Sequence, residues 1–299
     1  MNARAVQLAL AFAAVYVVWG STYLAIRIVV EHLPPALSAG LRFLVAGTLM
    51  LIYALLRGGR LPRLRSDWLR VAFYGLTMLV CGNGLVTWAE KWVESNQAAL
   101  VIATSALWMA GLGTIGAQGE RLRPITLVGL AAGFAGVALL VGGGLQAHSA
   151  PISAYAALLV APMFWAIGSV YAKRHPVTIT SATSAALQML VAGIVLASIG
   201  LLNGDAAQMH WEPRSGWALL YLIVFGSCIA YGAFFYLVHE VSPALLGTYA
   251  YVNPAIAVVL GWWILDEHLG RTQIIGTAVI LLGVLLVTLG SARRKPADG

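Results

Sequence analysis

The sequence predicts an all-α integral membrane protein of ten transmembrane helices, arranged as two inverted five-helix repeats. Three observations carry that prediction. Of the 299 residues, 60% are Ala, Val, Ile, Leu, Met, Phe, Trp, Tyr or Cys and only 10% are charged, whereas a soluble domain carries roughly 25% charge. Long stretches lack Asp, Glu, Lys and Arg altogether. Ordered fragments of the first half return in the second at nearly one offset. Such a composition cannot cover a solvated surface, which excludes an ordinary soluble enzyme and a disordered or collagenous chain. The net charge of +7 does not point to nucleic acid. That partner needs basic residues gathered on one solvated face, and here they fall between apolar runs.

The uncharged stretches are 5–26, 43–56, 71–89, 95–119, 124–172, 175–204, 215–239, 241–265 and 272–292. A helix crosses the hydrocarbon core in about 20 residues. The run 43–56 reaches that length by extending back to Pro35, with Arg42 inside the membrane. The run 124–172 holds two spans, broken around Gly142, Gly143, Gly144, His148 and Pro151. Helices are therefore predicted near 5–27, 35–56, 68–89, 97–117, 123–142, 152–172, 178–202, 215–238, 242–265 and 271–291. Continuous rather than alternating apolarity excludes barrel strands. Arg4 before an apolar segment imitates a secretory signal, but the run reaches Ile26, beyond an h-region of about 7–15 residues. It is read as the first span.

Orientation follows from where Lys and Arg fall. With the N-terminus inside, inner loops and tails hold thirteen of the eighteen: Arg4, Arg57, Arg60, Arg63, Arg65, Arg70, Arg121, Arg123, Lys173, Arg174, Arg293, Arg294 and Lys295. The outer side holds four, Arg27, Lys91, Arg214 and Arg271. Both termini are accordingly expected in the cytoplasm.

The repeat is read from three ordered matches. Leu41-Arg42-Phe43-Leu44-Val45-Ala46-Gly47 returns as Leu187-Gln188-Met189-Leu190-Val191-Ala192-Gly193, 146 residues on. Gly20-Ser21-Thr22-Tyr23 resembles Gly168-Ser169-Val170-Tyr171, and Gly129, Gly136 and Val137 match Gly276, Gly283 and Val284. The division falls at 1–147 and 148–299, forming one transmembrane unit. Five helices per half, an odd number, make the second copy enter the membrane from the opposite side. Inverted repeats are the architecture of many secondary transporters, with the ligand site near the midplane.

Ordered motifs along the whole chain carry a resemblance. They are Trp19-Gly20-Ser21-Thr22-Tyr23, Pro34-Pro35, Leu41-Arg42-Phe43 and Gly82-Asn83-Gly84, then Ser242-Pro243-Ala244, Tyr249-Ala250-Tyr251-Val252-Asn253-Pro254 and Glu267. With these the sequence resembles the drug/metabolite transporter superfamily, in its ten-helix EamA-type branch. Its overall pattern looks most like the amino-acid exporters that include the YddG-type proteins. The resemblance implies export of amino acids, other small metabolites or drugs across the bacterial inner membrane. It also implies a central cavity lined mainly by helices one, three, four, six, eight and nine.

Polar side chains within spans usually face the protein interior or a wet cavity. Asn83, Thr87 and Glu90 share one face of the third helix, either lining a cavity or gluing helices together. Aromatic and hydroxyl residues share faces on the other cavity helices: Tyr16, Trp19 and Tyr23; Thr104 and Trp108; Trp165 and Ser169; Tyr231 and Phe235; Tyr249 and Asn253. An aromatic ring with one polar atom suits an amphipathic solute. The candidate substrate site is therefore Trp19, Tyr23, Asn83, Thr87, Trp108, Trp165, Ser169, Tyr231, Tyr249 and Asn253. Pro162 and Pro254 fall mid-helix, where each frees a backbone carbonyl, and are candidate gating residues. Glu90, the acidic residue deepest in a span, is the candidate coupling group. Arg42 either snorkels or pairs, or attracts a carboxylate; it is left out of the core site, because the family does not use the second helix centrally. Cys81 and Cys228 read as packing residues, and the Gly129–Gly133 spacing as internal packing or a dimer seam.

The function expected is a secondary carrier working by alternating access, with drugs or other metabolites as the alternative cargo. A channel or an intramembrane binding protein is the reading from another class. No catalytic residue is expected: Ser21 and Ser227 have no mid-span His to activate them. No cofactor or metal is expected either, since HExxH, paired carboxylates, zinc spacing and GxxxxGK[ST] are missing from the sequence. The expected partners are a small-molecule substrate and the lipid bilayer, with the chain a monomer or weak homodimer.

Overall fold

A computed structural model describes residues 3–93, 98, 101–116, 119, 121–142, 150–256 and 271–292. Its helices are α1 (Ala3–Val30), α2 (Pro35–Leu56), α3 (Arg65–Ala89), α4 (Ser105–Gly113) and α5 (Pro124–Gly142). They continue with α6 (Ile152–Arg174), α7 (Ser181–Leu202) and α8 (Pro213–Glu240). α9 opens with Pro243–Leu246 and resumes over 249–256, and α10 is Arg271–Ala292. Their order follows the ten predicted spans, but the fourth, predicted over 97–117, is interrupted by a turn at 103–104 and the ninth by one at 247–248; no strand occurs among the described residues. Six of these helices, α1, α2, α3, α6, α7 and α8, are long and apolar enough to cross a membrane. Gly143, Gly144 and His148 of the expected break lie outside the described residues, as do Glu267, the end of the predicted ninth span, Arg293, Arg294 and Lys295.

Local chemistry sets several helix starts. Pro35, Pro213 and Pro243 occupy the first helical turn, where a missing N–H costs nothing. Thr180 and Ser242 cap α7 and α9, accepting from the backbone nitrogens of Thr183 and Leu245, each at 3.2 Å. The outward faces are rich in Leu and Ile: Leu10, Leu49, Leu69, Leu281 and Leu285 are all exposed. The interior instead packs small residues such as Ala46, Ala166 and Ala192 between rings such as Phe43, Tyr74 and Phe234. Between helices in lipid, close backbone approach replaces the hydrophobic drive.

That approach is greatest where α2 lies on α7 and α5 on α10. A Cβ on Gly47 would stand 3.0 Å from the Ala186 carbonyl oxygen and 3.0 Å from the Leu190 nitrogen. One on Gly193 would stand 3.1 Å from the Gly40 carbonyl oxygen and 2.7 Å from the Leu44 nitrogen. Shifting Gly40, Leu44 and Gly47 by 146 gives Ala186, Leu190 and Gly193, so each glycine meets the residues equivalent to its counterpart's own neighbours. α5 and α10 repeat the pattern: Gly136 meets Gly276 and Ile280, while Gly283 meets Gly129 and Gly133. In both pairs residue numbers rise on one helix as they fall on the other. The helices are antiparallel, and their contacts are reciprocal in the way of a two-fold interface. The backbone carries the same period, for Gly75–Gly84 in α3 and Leu222–Tyr231 in α8 are both π-helical.

Gly129 and Gly133 are both used inside the molecule, against Gly283 and the Tyr251 ring. Internal packing accounts for their spacing. Replacing a mid-helix Gly by Ala ordinarily gains about 0.5–1 kcal/mol, and Gly111, with open space around it, should follow that rule. Gly193→Ala should instead lose about 1–3 kcal/mol through overpacking, read as a lowered thermal midpoint of the purified protein. Equal responses at the two sites would contradict the backbone contact.

Candidate functional site

α1, α2, α3, α4, α6, α8 and α9 surround a cavity of about 70 Å³. That is room for a few waters, well short of the roughly 300–1,000 Å³ that holds a drug-sized ligand. Trp19, Thr22, Tyr23 and Ile26 reach the cavity from α1, spaced at i, i+3, i+4 and i+7 and so on one face. The two π-helical stretches supply Asn83 from α3 and Gly226, Ser227 and Tyr231 from α8. Wide turns of this kind recur at functional sites.

The cavity is bracketed along α1. Before Trp19, the Tyr16 hydroxyl meets Thr248 Oγ1 at 2.7 Å. Asn253, with its amide nitrogen turned to α1, donates to the Tyr16 carbonyl oxygen at 3.1 Å. Beyond Ile26, Arg27 donates to the Glu90 carbonyl oxygen. The two brackets are eleven residues apart, about 16 Å of helix. Past the second bracket lies a depression of mixed charge lined by Glu31, His32, Lys91, Asp205, His210 and Glu212.

One wall is aromatic. Trp19 packs on Trp165, Phe234 and Tyr249 with centroids 5.5, 5.0 and 5.2 Å away, contacts worth about 0.5–1.5 kcal/mol each beyond area burial. The Trp19 indole also donates to the Gly226 carbonyl oxygen at 3.1 Å, tying α1 to the π-helical stretch of α8. Gly82 makes space for the second indole, since a Cβ there would stand 3.0 Å from the Trp165 ring.

Arg42, 5% exposed, also lines the cavity, although the sequence reading leaves it outside the candidate site. Its Nε donates to Ser227 Oγ at 2.8 Å, and its guanidinium lies 5.1 Å from the Phe43 ring centroid. A hydrogen bond to a charged group contributes about 1.5–3 kcal/mol and a desolvated cation–π contact about 2. Removing an ion from water costs several kcal/mol, so these two contacts do little more than offset burial.

The other expected residues divide. Trp19, Tyr23, Asn83, Pro162, Trp165, Tyr231, Tyr249 and Asn253 line the cavity. Thr87 turns its hydroxyl to the Asn83 carbonyl oxygen at 2.9 Å and abuts a separate space of about 10 Å³ that Arg42 also borders. Ser169 lies one turn past Trp165, bonded back to its carbonyl oxygen at 2.7 Å. Pro254 is buried off the cavity. Trp108 is 41% exposed, because the inner face of α4 is Ser105, Ala106, Met109 and Ala110. Glu90 does not line the cavity; it is fully buried, and neither carboxylate oxygen has a hydrogen-bond partner among the described residues. Ionised, it would have only the fields of Arg27 and Arg42 to hold it. Thr22, Phe43, Ser105 and Ser227 are lining residues the sequence did not single out. For Arg42 and Phe43 the signal was available, a lone charge within a span beside a ring.

Residues 7–142 and 152–289 each match the EamA-like transporter family. The chain belongs to that family. As an EamA-family protein it is a membrane transporter, and the family is one of transporters rather than enzymes. It is 42% identical over 278 residues to the "Uncharacterized inner membrane transporter YedA" of Escherichia coli, covering 93% of this chain and 89% of YedA. Identity is 28% over 297 residues with the "Uncharacterized transporter YvbV" of Bacillus subtilis, covering 97% of this chain and 94% of YvbV. It is 24% over 291 residues with a "Probable amino-acid metabolite efflux pump" of Escherichia coli, covering 94% of each. A crystal structure at 22% identity has the same fold, with a TM-score of 0.79 over 96% of this chain and 99% of that one.

The brackets give a test of the cavity. In a chain whose Cys81 and Cys228 are replaced by Ala, Ser105→Cys should react slowly with an impermeant maleimide. Adding Tyr16→Ala should speed labelling from one face of the membrane, and adding Arg27→Ala from the other. Acceleration from the same face in both would contradict closure at opposite ends.

Proposed function

We propose that this EamA-family transporter is a secondary carrier exporting small metabolites across the bacterial inner membrane. Amino acids are its main cargo, the apolar and aromatic ones included. The halves 1–147 and 148–299 lie inverted and rock about the cavity, opening it to one side at a time, with both termini in the cytoplasm. The observation that carries this reading is a bracketed cavity between two sets of helices whose equivalent members pack antiparallel and reciprocally. A two-fold arrangement of that kind has two symmetry-related ways to open, which alternating access requires. The similarity to a probable amino-acid metabolite efflux pump supports the cargo. The aromatic wall supports an apolar body on it. Consumption of Gly129 and Gly133 in internal packing supports a monomer.

Glu90 is assigned the coupling role. A buried carboxylate without hydrogen-bond partners is costly when ionised, and a proton removes the cost. Arg27, its backbone partner across the bracket, links its state to closure of that end.

Counterflow of labelled amino acids into liposomes containing only this protein tests the reading. Saturable uptake, accelerated by solute on the far side, is expected. Linear flux would favour a channel, and flux of none of the twenty amino acids would remove the cargo class. Trp165→Ala and Tyr249→Ala should each lower uptake at least tenfold, on the order of two aromatic contacts, while Trp108→Ala leaves it unchanged. Glu90→Gln should abolish any dependence of uptake on a proton gradient and leave gradient-free counterflow intact. Unaltered gradient dependence would exclude it as the coupling group.

A further inference from the structure

The polar lining of the cavity is out of balance. Several of its donors are spent within the protein: Trp19 Nε1 on Gly226, Thr22 Oγ1 on Trp19 and Ser105 Oγ on Ile102, all carbonyl oxygens. Two of the remaining donor groups are deeply buried. The terminal nitrogens of Arg42 make no hydrogen bond to any described residue, and its side chain is 95% buried. The Trp165 indole nitrogen is likewise buried with no acceptor among the described residues. Arg42 is the one charged residue among those lining the cavity, and no described carboxylate lies within ion-pair distance of it.

The equivalent position in the second half makes the contrast plain. Gln188, 146 residues on, is neutral and fully engaged: its amide donates to Ser184 Oγ at 3.0 Å, and its oxygen accepts from the Tyr231 hydroxyl. One half therefore closes this position with internal hydrogen bonds. The other presents a guanidinium, steadied at Nε by Ser227 and facing empty space.

We propose that Arg42 is the anion anchor of the cavity, and that the solutes held there carry one carboxylate on an apolar or aromatic body. This deepens the carrier reading and rests on the central cavity being its substrate site. The free edge of a guanidinium matches a carboxylate's two oxygens. A dianion such as a phosphate ester would call for a second cation, and no other lines this cavity. Trp19, Trp165 and Tyr249, which line the same cavity, give the body an apolar surface. No acidic side chain lines the cavity either, so an α-amino group contributes less to binding than the carboxylate.

The test is intrinsic tryptophan fluorescence of the purified full chain, titrated with L-phenylalanine, 3-phenylpropionate and L-phenylalaninamide. Both carboxylates should bind at least about tenfold more tightly than the amide, the scale of a charge-assisted hydrogen bond. Arg42→Gln, which installs the residue of the second half, should remove that preference. Arg42→Lys should keep part of it. Should Arg42→Gln fail to fold, Ser227→Ala serves instead: loosening the guanidinium should narrow the preference for the carboxylates over the amide several-fold. The proposal is overturned if the amide binds as well as the acids, if no carboxylate binds, or if the preference survives Arg42→Gln or, where that variant does not fold, is undiminished in Ser227→Ala. Counterflow with the same compounds separates this outcome from the transport reading. Arg42-dependent binding without flux keeps the anchor and sinks the carrier; flux of phenylalanine and its amide alike, indifferent to Arg42→Gln, does the reverse.

Discussion

Helices immersed in lipid gain little by turning leucine away from their surroundings, so how closely their backbones meet decides what holds them. In this protein that constraint is met at two seams. α2 lies on α7 and α5 on α10, with Gly47, Gly193, Gly136 and Gly283 bringing backbone atoms to distances no side chain would allow. Each seam joins equivalent helices running in opposite directions, so the contacts made by one half dictate those made by the other. With these scaffold pairs fixed, the remaining helices are free to converge on the space between them. The cavity is where they do.

Everything distinctive about the cavity follows from where polar atoms are spent. The π-helical stretches of α3 and α8 bring Asn83, Ser227 and Tyr231 inward, and indoles from α1 and α6 close against them. Several donors, those of Trp19, Thr22 and Ser105 among them, are satisfied by neighbouring carbonyls, as burial in a low-dielectric interior demands. Arg42 and the Trp165 indole are not. Glu90 lies apart behind the Arg27 bracket, buried, its carboxylate oxygens without a hydrogen-bond partner among the described residues.

Much of this was legible from one dimension. Trp19, Tyr23, Asn83, Trp165, Tyr231, Tyr249 and Asn253 were recognisable because aromatic and polar residues at mid-span have few other places to point. The failures have particular causes. Trp108 shares a face with Thr104 by helical spacing, yet a turn at 103–104 precedes α4 and its inner side belongs to Ser105 and Met109. Thr87 and Ser169 found hydrogen bonds to their own helix backbones one turn earlier, an option every Thr or Ser in a helix has. The sequence shows Ser227 only as a nucleophile without a mid-span histidine, and leaves Arg42 open between snorkelling, pairing and attracting a carboxylate.

The sequence by itself determined the number, order and approximate ends of the helices, because bilayer thickness and the exclusion of charge leave few choices for an uncharged run of that length. It also determined the repeat, through the spacing of its glycines. Tertiary structure decided which face of each helix looks inward and which donors stay unspent. Those depend on the phase of π-helical turns and on neighbours some two hundred residues away in the chain, such as Ser227 for Arg42 and Gly226 for Trp19. A hydrogen bond is satisfied or not by a partner's position to within an ångström, and no local pattern of residues encodes that.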